Sequence, residues 1–224
     1  MMSLQELLPH IEVLESGERL SVEPAPRPYS VVAVGSATRA PDARQSALAR
    51  LIRVGWVSMT CSERTQAVFG SEPILVGPGE DVEMACMAFS LERAGELLEA
   101  HPPGTVAMLS GPLPCLNAAS EDLANVLLQA LCRARSSGGT LLGVVPHPCP
   151  ELFTGWLAPG ERSPWSRAES RMFCYVNVEG TVLRLETYEL EAVQHDRVVA
   201  IATTQYLRGF PLQTGRDAET LTSP

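Results

Sequence analysis

The sequence predicts an α+β domain, with α/β as the alternative, built on a mixed β-sheet with three main helices and a C-terminal antiparallel three-strand meander. Three observations carry this. Apolar runs of strand length alternate with runs at helical spacing through most of the chain. After Arg171 the pattern changes to short strand-like stretches separated by tight turns, an all-β ending. The 224 residues, 45% hydrophobic and 19% charged, lie in the globular range and suffice for one sizeable core.

Taken in order, Ser3 and Glu6 form a capping box for a short helix that Pro9 ends. Pro24, Pro26 and Pro28 make a stiff extended connector. Ser30–Val34 reads as a buried strand closed by Gly35-Ser36. Ala43, Ala47, Leu48, Leu51 and Ile52 fall on one helical face, and Val54–Thr60 returns to strand character, which suggests a βαβ unit or a strand–helix–strand step in a mixed sheet. Pro73–Val76 and Val82–Phe89 flank the turn sequence Gly77-Pro78-Gly79-Glu80 and predict a hairpin. Ser90 is read as the cap of a helix that ends before Pro102.

Thr105–Ser110 is the next strand. Ser120 caps the longest helix, with Glu121 and Asp122 at its N-terminus and Arg133 and Arg135 at its C-terminus, where each charge suits the helix dipole. Thr140–Val145 follows as another strand. A right-handed crossover through that helix makes the two strands parallel. Residues 146–168 are irregular and proline-rich. Arg171–Val178, Thr181–Leu190 and Arg197–Tyr206 are the three strands expected of the meander, with turns at Glu179-Gly180 and Gln194–Asp196. The expected organisation is an acidic N-terminal segment with its connector (1–28), one globular domain (29–212) and a disordered polar tail (213–224).

No apolar run reaches the roughly 18–20 residues of a membrane-spanning helix, and the N-terminus lacks a basic region followed by an apolar core. The expectation is a soluble, intracellular, cytoplasmic protein without a membrane partner. The net charge of −9 disfavours nucleic acid as a partner, because phosphate repels an acidic surface. All 17 basic residues other than histidine are arginine, so the chain has no lysine. That excludes Schiff-base enzymes and lysine-dependent phosphate loops. It also points to a GC-rich genome, a high-GC bacterium or a large DNA virus. In the viral case the compartment becomes the host cytoplasm or nucleus.

Candidate sites are few. Cys115 follows one of the two parallel strands and His147 the other, so both loops open at one sheet edge. There an imidazole can activate a thiol, with Glu121 or Asp122 as orienter. Gly35, Ser36 and Arg39 resemble an anion-binding turn at a helix N-terminus but match no phosphate-loop pattern. Trp156 and Trp165, with Arg162 and Arg167, supply residue types favoured as partner anchors. The six cysteines include no C-x-x-C pair, so no metal site and no cofactor are expected. Glu179, Glu186, Glu189 and Glu191 read as a solvated sheet face. By elimination, the sequence favours a non-catalytic accessory protein that binds a protein partner. A cysteine hydrolase or transferase using Cys115 and His147 is the alternative, and a small-anion module the second. Oligomeric state is left open.

Overall fold

The run Tyr29–Thr38 is buried at all but its last positions because both its faces are covered, and it forms the long interior strand β2. The computed structural model describes residues 17–38, 50–77, 79–117, 119–146, 156–168 and 170–209. Around β2 the remaining strands are β1 (Leu20–Ser21), β3 (Arg50–Cys61), β4 (Gln66–Val76), β5 (Val106–Ser110) and β6 (Thr140–Pro146). They continue with β7 (Glu161–Arg162), β8 (Ser166–Ala168), β9 (Arg171–Val178) and β10 (Thr181–Thr187). Among the described residues the helices are α1 (Val82–Glu99), α2 (Glu121–Ser136), α3 (His195–Leu207) and a 3-10 turn at Ala192–Gln194.

All ten strands join one mixed sheet in the order β1-β7-β9-β10-β6-β5-β2-β3-β4, with β8 alongside β9. The α+β class is therefore what the chain adopts. Strands β2, β5 and β6 are mutually parallel, with Val34 opposite Leu109 and Ser110 opposite Val144. The parallel pair joined by α2 matches the crossover expected from sequence. Helices α1 and α2 cover one sheet face through Leu91, Leu98, Leu127 and Ala130. Helix α3 covers the other through Val198, Val199, Ile201 and Ala202.

Three elements depart from expectation. Val82–Phe89 is the start of α1 and not a strand. Asp81 caps it by accepting the N–H groups of Glu83 at 2.9 Å and Met84 at 3.2 Å. Ser90, expected to cap, lies buried inside that helix. Arg197–Tyr206 is helix α3, so the meander has two strands and a helix. Its Val198, Ile201, Ala202 and Gln205 recur at three- and four-residue steps and are buried together on the sheet. Lastly, β2 and β3 pair antiparallel from Tyr29↔Cys61 to Thr38↔Ile52, which rules out the βαβ unit and leaves the mixed-sheet alternative. Leu51 and Ile52, expected in a helix, belong to β3, while 39–49 lie outside the described residues.

The β9–β10 turn forms as read. Glu179 at φ 51° and Gly180 at φ 90° are both left-handed, the geometry a two-residue hairpin turn needs to match strand twist.

Candidate functional site at the parallel edge

Ligands of sheet-based α/β folds collect beyond the C-terminal ends of parallel strands, where loops diverge. Here that edge is formed by the ends of β2, β5 and β6. Strand β2 brings half-buried Ser36 and β5 brings exposed Ser110. The Cys86 thiol of α1 lies beside Ser36. Burial pushes that thiol up, the Ser36 hydroxyl works the other way, and the Glu83 carboxylate adds to the rise.

The loop leaving β5 is held from three sides. Gly111 pairs back onto Val144 of β6, which is possible because Gly143 has no side chain. A Cβ there would stand 2.9 Å from the Gly111 carbonyl. The Leu113 N–H donates to Glu186 Oε2 at 2.9 Å, and Arg171 Nη1 donates to the Leu113 carbonyl at 2.9 Å. Tyr188 donates its hydroxyl proton to the Pro114 carbonyl and accepts the Leu116 N–H at 3.1 Å. Burial raises the pKa of that phenol, against the Leu116 N–H and the Arg171 charge, so it stays protonated and able to donate.

Below the loop lies a buried ionic cluster. Glu186 of β10 is fully buried, with Arg171 Nη1 3.5 Å from Oε2 and Arg184 Nε 2.6 Å from Oε1. The Arg184 contact is an ion pair without a directed hydrogen bond, since neither of its two atoms has a hydrogen-bond partner. Both guanidiniums lie over the Phe173 ring, 5.1 and 5.8 Å from its centre. The sequence reading of Glu186 as a solvated carboxylate is thus corrected. Alternation along β10 puts Val182, Arg184 and Glu186 on one face, and the loops that cover that face leave no periodicity to read.

Of the residues singled out from sequence, Cys115 is half-buried in the pinned loop, and its carbonyl accepts the Ala119 N–H at 2.8 Å. His147 lies outside the described residues, as does Arg39. Gly35 and Ser36 sit inside β2, which runs on to Thr38, so they form no strand-to-helix turn. Arg162 is buried, with one nitrogen on Asp196 and another donating to the Ser163 carbonyl at 2.8 Å. Arg167 is exposed on β8. Trp156 packs on Leu157, Tyr175 and Val182, whereas Trp165 packs on the α3 side with its ring 5.7 Å from His195. The two tryptophans lie against opposite faces of the sheet and make no common surface.

No protein-family model matches the sequence, and no curated protein matches it either. Solved structures do. The NurA nuclease from Sulfolobus solfataricus superposes with a TM-score of 0.55 at 11% identity, over 96% of this chain and 89% of that one. A structure of NurA with manganese gives 0.54 at 6% identity, over 91% and 87%. At such identities the shared property is the fold.

That likeness overturns two expectations. A fold shared over nearly the whole chain with a nuclease displaces the non-catalytic accessory protein, which was reached by elimination. It also displaces the exclusion of nucleic acid, which rested on a charge summed over all residues, although binding depends on local potential. Manganese, present in the second neighbour, requires several hard oxygen ligands. The described residues do not fit it. The ends of β2 and β5 bear hydroxyls, Glu186 is committed to two arginines, and no group of three His, Cys, Asp or Glu is placed to hold an ion among the described residues. No chemical step is therefore assigned to a metal. No helix among the described residues is long and apolar enough to cross a membrane.

Proposed function

We propose that this chain acts on nucleic acid and receives the sugar–phosphate backbone of a strand at the C-terminal edge of β2, β5 and β6. The observation that carries this reading is the fold likeness to NurA over 96% of the chain. The site chemistry supports it: hydroxyl groups at Ser36 and Ser110 and two arginines beside the loop 111–117 are donors suited to phosphate oxygens. The acidic total of −9 lowers non-specific affinity, so recognition has to come from this local set of donors. The test is fluorescence anisotropy with short labelled single-stranded and duplex DNA and RNA at low salt, with the same mixtures run on a denaturing gel. Binding that weakens linearly in log–log salt supports the reading. An unchanged anisotropy with all four ligands ends it.

A second reading is thiol-dependent hydrolysis or group transfer at Cys115, favoured by the three-sided anchoring of its loop. Anchoring of that kind holds a nucleophile in one geometry. Labelling by an electrophilic thiol probe that Cys115→Ala abolishes and Cys86→Ala leaves intact supports it. Labelling that persists in Cys115→Ala at the wild-type level removes it.

A further inference from the structure

We propose that Arg171 and Arg184 together form a phosphate-binding clamp, oriented by Glu186, and that this clamp is where the chain grips a nucleic-acid backbone. The inference rests on the nucleic-acid reading above and names its contact point. Two guanidiniums share one carboxylate, so a cluster whose centre is fully buried carries one positive charge in excess. Among the described residues no other carboxylate pairs with either arginine. An uncompensated charge in a partly desolvated setting is costly unless an anion completes it. Each arginine side chain is 19% exposed, and the Nε of each is buried without a hydrogen-bond partner, a donor left for an incoming anion.

Their preparation for a ligand is visible in the contacts. Phe173 lies beneath both planes. Glu186 accepts from Arg171 Nη1 at 3.5 Å and holds Arg184 Nε at 2.6 Å as an ion pair, so one carboxylate brings the two forks side by side. Arg171 also holds the Leu113 carbonyl, so an anion drawn to the pair is set directly against the loop that carries Cys115. Planar forks held in this way match the oxygens of a phosphate, which a flexible ammonium does not. The recognised group is a phosphodiester oxygen pair, with free phosphates sharing the same chemistry.

The experiment measures affinity of the full chain for a short labelled DNA single strand and, separately, for inorganic pyrophosphate. Arg184→Gln removes the excess charge and is expected to weaken DNA binding about tenfold and lower the salt slope by about one. Glu186→Gln keeps the volume and the acceptor for Leu113 while raising the local charge, and is expected to tighten binding several-fold. Thermal melting confirms folding of each variant. Should Arg184→Gln fail to fold, Arg184→Lys takes its place, with a smaller loss expected because charge is kept and the fork is lost. Shifts in the same direction, or both under twofold, overturn the clamp. Opposite shifts with pyrophosphate but no DNA binding in any variant keep the phosphate site and sink the nucleic-acid reading. Binding of neither ligand by the wild type sinks both.

Discussion

Glu186, with no solvent exposure, accepts the backbone N–H of Leu113 at 2.9 Å, and that contact joins the last long strand to the loop after β5 across 73 positions of sequence. The carboxylate serves two tasks at once, holding a loop and holding two arginines.

Glu186→Ala therefore leaves two largely buried arginines without their counter-charge and the Leu113 N–H without its acceptor. The expected loss is about 3–5 kcal/mol of unfolding free energy. Glu189→Ala serves as the control, since its pair with Arg135 at 3.9 Å is exposed on both sides. That change is expected to stay within ~0.5 kcal/mol. Urea denaturation of both variants measures the difference.

Stability is expected to fall in alkali. Burial pushes the Cys174 thiol up to about 12 from an ordinary 9.0, and burial likewise raises the Tyr175 hydroxyl, against the Arg184 charge. Both groups hold their protons more tightly folded than unfolded. Their contribution is complete below the unfolded pKa and drains away as pH climbs through the folded one. The melting temperature should decline from about pH 9 upward, and less steeply in Cys174→Ala. A profile flat to pH 11, within error, removes the thiol from this account.

Manganese at millimolar concentration is expected to leave the melting temperature unchanged to within about one degree. A site holding the ion with a dissociation constant a hundredfold below that concentration would add about 2.7 kcal/mol. Differential scanning fluorimetry with manganese and with chelator separates the two. A clear manganese-dependent rise places ligands outside the described residues.

Gly70→Ala is expected to destabilise by about 1–3 kcal/mol, since overpacking forces neighbours to shift. A Cβ at that position would stand 2.3 Å from the Trp56 ring, which itself stacks under the Arg93 guanidinium at 4.6 Å. Arg93 also pairs with Glu96 at 2.7 Å. Displacing the indole should shift tryptophan fluorescence along with the loss of stability.

How far the sequence is legible varies with how local the signal is. The β5–α2–β6 unit reads correctly because Ser120, Glu121, Asp122, Arg133 and Arg135 mark both helix ends within the helix itself. Helix α3 reads wrongly because Val198, Val199, Ile201, Thr203 and Thr204 are β-branched, and only packing on the sheet settles the choice. Helix α1 reads correctly from Leu91 to its end before Pro102, but its first half, Val82–Phe89, reads wrongly as strand because Asp81 serves equally well as a turn residue and as a cap. At the site, Cys115 and the edge it occupies follow from topology. Arg171, Arg184 and Glu186 do not, since a charged residue in a strand signals solvent unless its partners, far away in sequence, are known.

One further contact bears on how the protein comes into being. Gln205 in α3 donates to the Tyr29 hydroxyl at 2.8 Å, linking positions 176 residues apart, and both are buried. On the ribosome, the strand that forms the middle of the sheet is made well before the helix that seals its face. Between those two moments the growing chain carries that apolar face uncovered, so closure of the core waits on synthesis of α3.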